Sequence, residues 1–145
     1  IGIFMTIAPV IAILRGGTDG ALGSIINLVS TEAGAPIPVA YFWATGLLSG
    51  FLDNAPTYLV FFKAVGVEAE AFMSFGEGGF GLTLLAISMG AVFMGALSYI
   101  GNAPNFMVKA IAEDAKVKMP TFFGYMAWSF SILIPVFVLV MFVFL

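Results

Sequence analysis

Two stretches of the chain share one phrase: Leu52-Asp53-Asn54-Ala55-Pro56-Thr57-Tyr58-Leu59-Val60 and Ile100-Gly101-Asn102-Ala103-Pro104-Asn105-Phe106-Met107-Val108. Each sets a polar knot into an apolar run. Proline has no N–H to give a helical ladder, and an aspartate or a glycine precedes each Asn-Ala-Pro, so an unbroken helix is not expected to pass through either copy. Whatever the chain folds into has to accommodate these two breaks.

The solvent around the breaks follows from composition. Of 145 residues 61% are hydrophobic and 9% charged, with a mean hydropathy of +1.12, whereas a soluble domain carries about 25% charged residues. The sequence therefore reads as an all-α membrane protein, with the lipid bilayer as its first partner. A net charge of -3, from five basic and eight acidic residues, provides no basic block and argues against nucleic acid as a partner. With no cysteine and no histidine, disulfides, thiolate sites and imidazole chemistry are unavailable, and no cofactor is expected. Proton handling falls to Asp, Glu, Lys or Tyr. An intramembrane enzyme would lack a base placed near a nucleophile; a channel or a non-transporting subunit stays open as an alternative.

In chain order, residues 1–36 read as the end of a scaffold helix, Ile1 to Leu14, followed by Ala21 to Ser30 as either a short interfacial helix or a structured loop. The apolar start without a basic flank makes the chain look like the C-terminal part of a larger protein. Residues 37–66 hold two apolar arms, Val39 to Leu52 and Ala55 to Val65, each too short to cross a ~30 Å hydrocarbon core. They suit a re-entrant helical hairpin with its tip at 53–57; one kinked span from Pro38 to Val65 is the alternative. Residues 67–118 comprise an acidic loop, with Glu68, Glu70 and Glu77, and then a transmembrane helix broken at 101–105. Its first part, Phe80 to Ile100, is long enough to cross, and Ala86, Gly90, Ala91 and Gly95 stand at spacings that let helix backbones approach. Residues 119–145 form the last transmembrane helix. Lys109, Lys116 and Lys118 against the acidic loop put the lysines in the cytoplasm.

Locally, each copy spells helix, break, helix. Gly101 can end one helix in a left-handed conformation, Asn102 can cap the next, and Pro104 falls in a first turn where its missing N–H is harmless. Asp53 or Asn54 and Pro56 repeat the pattern. Breaks at membrane depth persist where protein or a watery cavity satisfies the freed backbone. Amide oxygens of Asn54, Asn102 and Asn105 and the hydroxyl of Thr57 could serve a small cation, while the two half-helix N-termini would favour an anion. Asp53 is the one carboxylate in an otherwise apolar segment, where a proton and a cation could compete for it. Ser49 and Thr45, on one face of the first arm, could extend the site, though such side chains commonly bond their own backbone. Lys109 stands four residues from both Asn105 and Glu113 on one helix face and can either touch substrate or snorkel to the interface.

The hairpin wording Asp53-Asn54-Ala55-Pro56-Thr57, the break Gly101-Asn102-Ala103-Pro104-Asn105 and the final span together resemble the C-terminal half of the ion transporter superfamily. The wording of Gly50 to Phe62 and Tyr99 to Ala112 is similar to bacterial proteins labelled citrate transporters or sodium:proton antiporters. That resemblance implies half of an inverted-repeat secondary transporter, with a re-entrant hairpin and a discontinuous helix that together bind sodium and substrate. It also implies an N-terminal half as partner, a homodimer and a bacterial inner membrane. Carried over, Asp53, Asn54, Thr57, Gly101, Asn102 and Asn105 become candidates for cation or substrate binding, with Asp53, Asn54 and Asn102 as sodium ligands. The dicarboxylate branch has a Ser-Asn-Thr tip. Here an aspartate precedes the asparagine, which points to sodium/proton exchange, with sodium- or proton-coupled transport of citrate or another organic anion as the alternative.

Overall fold

The computed structural model describes residues 27–31, 34–76 and 78–145, so the expected scaffold-helix end and most of the expected interfacial helix lie outside the described residues. Among the described residues the architecture is all-helical. Helix α1 spans Pro38–Ser49, with proline in the first turn, where its lack of an N–H costs nothing. Helix α2 spans Asn54–Ala64, and the four residues between them, Gly50 to Asp53, form a loop. Gly66, at φ 74, then turns the chain out of α2.

The acidic segment that follows is anchored by a 3-10 turn, Ala69–Met73, whose Phe72 is buried. Phe72 stacks on Phe62 at 4.7 Å and meets Phe80 edge-on at 6.2 Å. An aromatic column thus holds a loop that its charges alone would leave in solvent.

Helix α3 spans Gly81–Phe93 and tightens into a 3-10 helix, Met94–Leu97. The expected single span from Phe80 to Ile100 is therefore not present. At 13 residues α3 is short, about 20 Å at ~1.5 Å per residue. The chain leaves helix at Ser98, three residues before the expected break. Ser98 has extended backbone, φ -136 and ψ 169, and its hydroxyl accepts the Gly101 and Ile100 amides at 3.0 and 3.2 Å. A side chain that offers backbone amides another acceptor competes directly with helix.

Helix α4 spans Ala103–Asp114 and helix α5 spans Phe122–Phe144, with Pro135 inside it. Among the described residues α5 is the one helix long and apolar enough to cross a membrane.

The core lies chiefly between α1 and α3, where Tyr41, Phe42, Ile87, Met94 and Leu97 are buried. Small residues bring the two backbones together: a Cβ on Gly90 would strike the Phe42 carbonyl oxygen, and one on Gly46 would strike the Met94 thioether. Helix α5 packs across this pair; the Trp43 Nε1–H donates to Met141 Sδ at 3.3 Å.

Candidate functional site

The two breaks meet. At Gly101 the backbones of both copies cross so closely that a Cβ there would lie 2.6 Å from the Gly95 carbonyl oxygen, 2.8 Å from that of Gly50 and 2.9 Å from that of Ser49. This crowding explains the glycine. Gly101 is not among the positive-φ residues, so it does not end a helix in the left-handed conformation expected from sequence.

Ending α3 early frees carbonyls that need donors. Four consecutive ones receive them from side chains. The Asn105 Nδ2 donates to the carbonyls of Gly95 at 3.0 Å and Ser98 at 3.1 Å. Tyr125 O–H donates to Ala96 at 2.9 Å, and Ser129 Oγ to Leu97 at 2.6 Å. On the first copy's side, Ser49 Oγ donates to the Ala91 carbonyl at 2.6 Å, and the Ser98 hydroxyl donates to the Gly50 carbonyl. A buried carbonyl left without a donor costs about 1–3 kcal/mol, so this set of side chains is what lets the break exist.

The residues singled out from sequence take distinct places. Asp53 is exposed and caps α2, its carboxylate accepting the Asn54 N–H at 2.8 Å. Thr57, 1% exposed, donates to the Asp53 carbonyl at 2.9 Å. Asn54 is half-buried and lines an open groove of about 400 Å³ with Ala55, Tyr58, Ser88, Ala91 and Val92. Asn102 is the N-cap residue of α4 but makes no side-chain cap bond. Asn105, expected to offer an oxygen, uses its amide nitrogen as a clamp on the break. Ser49 bonds α3 rather than its own helix, and the fully buried Thr45 Oγ1 has no partner among the described residues.

Lys109 pairs with Glu113 at 2.6 Å and sits 5.5 Å above the Tyr99 ring, which stacks on Tyr125 at 4.2 Å. Lys109 and Glu113 thus form a partly exposed ion pair along α4. Among the described residues no side-chain hydrogen bond joins Asp53, Asn54 or Thr57 to Asn102 or Asn105; the two breaks are linked by close backbone approach at Gly101 and by the Ser98 bond to Gly50. Sequence reasoning missed Ser98, Tyr125 and Ser129. The latter two stand four apart on one face of α5, a polar pair on an apolar helix that could have signalled a partner.

A family model described as "Putative citrate transport" matches residues 1–145, the whole chain. The chain belongs to that family. Membership bears out the resemblance drawn from the two Asn-Ala-Pro phrases, and the chain is accordingly a membrane protein of a transporter family. No curated protein and no solved structure matches the chain.

Proposed function

We propose that the chain carries the ion- and substrate-binding breaks of a secondary active transporter that moves citrate or a related organic anion together with a coupling cation. The observation that carries this reading is the close approach of the two breaks at Gly101, which packs against the carbonyls of Ser49 and of Gly50, the latter four residues before α2 starts, and itself lies two residues before α4 starts. Helix starts present unpaired N–H groups and favour anions. Asn102 stands beside one of them and makes no side-chain cap bond to it. Membership of a citrate-transport family supports the same substrate class.

In this reading α1 and α2 form a re-entrant hairpin. At 12 and 11 residues each arm reaches about 16–18 Å, roughly half of a ~30 Å hydrocarbon core. The coupling cation, sodium or a proton, takes oxygens from Asp53, Asn54 and Asn102. The chain then supplies one half of an inverted repeat, works with the other half in a homodimer, and resides in a bacterial plasma membrane.

A second reading, sodium/proton exchange, is favoured by one observation: the Asp53 carboxylate is exposed at the first break, where a proton and a cation could compete for it. Reconstituted vesicles separate the two. Labelled citrate accumulation driven by a sodium or proton gradient supports the first reading. Collapse of a pH gradient on adding sodium, with no organic acid present and no citrate uptake, replaces it with the second.

A further inference from the structure

We infer that Ser98 is a positioning residue that fixes the separation of the two breaks and thereby sets the affinity of the site between them. The inference rests on the transport reading above for its affinity consequence, and on geometry alone for the separation.

A serine hydroxyl has one proton to donate and two lone pairs to accept with. All three are used. The proton goes to the carbonyl of Gly50, the C-cap residue of α1; the lone pairs take the amides of Ile100 at 3.2 Å and Gly101 at 3.0 Å. Ser98 is 1% exposed, so no water stands in for these bonds without rearrangement. A hydroxyl saturated in this way has nothing left for a cation, which makes Ser98 a holder of the site and not one of its ligands.

Its partners also place it at the one point where both copies can be held. Gly50 and Ser98 are separated by 48 residues, the same offset that separates the two Asn-Ala-Pro phrases. The bond therefore joins equivalent positions of the two copies. Four residues later in each copy, at Asn54 and Asn102, stand the helix starts on which an ion or an anion would rest. A change at Ser98 is transmitted to both through short, rigid segments, and a site that must hold its ligands within about 0.5 Å is sensitive to such a change.

Removing the hydroxyl with Ser98→Ala orphans two amides and a carbonyl at once, whereas Ser98→Thr keeps the hydroxyl on backbone that is already extended and suits a β-branched residue. In the complete polypeptide reconstituted in vesicles, Ser98→Ala raises the half-saturating sodium concentration for citrate uptake about tenfold while the maximal rate falls less than threefold, and Ser98→Thr restores the parent value. Unchanged half-saturation, or a fall in rate alone that follows the amount of folded protein, overturns the proposal.

The separation is read independently of transport. The chain has no cysteine; in the complete polypeptide, with any cysteine outside these residues replaced, Phe51→Cys and Ile100→Cys, both at exposed positions, accept a spin-label pair across the two breaks. The parent gives one narrow distance, which broadens in Ser98→Ala and narrows again in Ser98→Thr. A narrow distribution unaffected by Ser98→Ala sinks the inference even where transport is normal. A parent protein without cation-dependent uptake removes the transport reading instead, and the label distances then decide the role of Ser98.

Discussion

The two breaks carry the same wording in the same register but are satisfied in opposite ways. The first closes on itself: the Asp53 carboxylate takes the next amide, and Thr57 returns to the Asp53 carbonyl four residues back. The second depends on distant donors, since its carbonyls are filled by Asn105, by Tyr125 and Ser129 of α5, and its hydroxyl reaches across to Gly50. Thr57 and Asn105 occupy corresponding positions of the two phrases, yet one serves its own helix and the other a helix end 10 residues earlier. A short phrase can thus specify a break without specifying how that break is stabilised. The cap contacts of the first copy are local, with its Gly50 carbonyl filled from Ser98; the second draws its donors from α4 and α5.

The largest expected effect tests the crossing itself. Gly101→Ala forces a methyl to within 2.6 Å of a backbone oxygen and should destabilise the protein by about 3 kcal/mol or more, seen as a collapse in folded yield and melting temperature in detergent. Gly50→Ala, whose methyl would meet its nearest atoms at 3.4 Å, should cost less than about 1 kcal/mol. Equal effects would show that the two breaks are not packed as unequally as the contacts imply.

Next come the corresponding polar positions. Asn105→Ala strips donors from the Gly95 and Ser98 carbonyls and should cost about 2–4 kcal/mol. Thr57→Ala leaves the Asp53 carbonyl still accepting the Thr57 N–H at 3.3 Å and should cost about 1 kcal/mol. A reversed order in melting temperatures would break the contrast between local and distant satisfaction.

Asp53→Asn keeps a cap of similar strength and should move stability by under about 0.5 kcal/mol, so its transport phenotype can be read without a folding correction. Retained citrate uptake with lost sodium/proton coupling sharpens the division between a charged first break and a neutral second one. Wholly normal coupling removes Asp53 from the cation site. The smallest effect belongs to Lys109→Ala: its pair with Glu113 is partly exposed and spaced four residues along α4, and the loss should be about 0.3–0.5 kcal/mol by thermal melting.

These contrasts also mark what could be read from sequence. Proline and asparagine announce that a helix must stop and restart, and the restarts at Asn54 and Ala103 follow from capping rules that act over a few residues. The small residues that let α1 and α3 touch, Gly90 above all, are visible for the same reason, since their spacing is local. The end of α3 is not. Apolar residues continue through Leu97, and nothing near Met94 says that the carbonyls beyond it will find donors on α4 and α5. Hence the sequence points to a break at 101–105, although the helix ends before Ser98, and it gives no sign that the Asn105 amide nitrogen serves the freed carbonyls. Asp53 is the converse case. Its place in an apolar segment marks it as a candidate ion ligand, and the capping pattern that the sequence also offers is the one visible in its bond to the Asn54 amide.

The four occupied carbonyls, Gly95 to Ser98, bear on insulation. A membrane that stores an ion gradient loses it through any continuous file of water, because such a file also conducts protons. Backbone groups left hungry at a helix break are natural nuclei for that file. Where protein hydroxyls and an amide already occupy them, a polar interruption can sit in a membrane without becoming a leak.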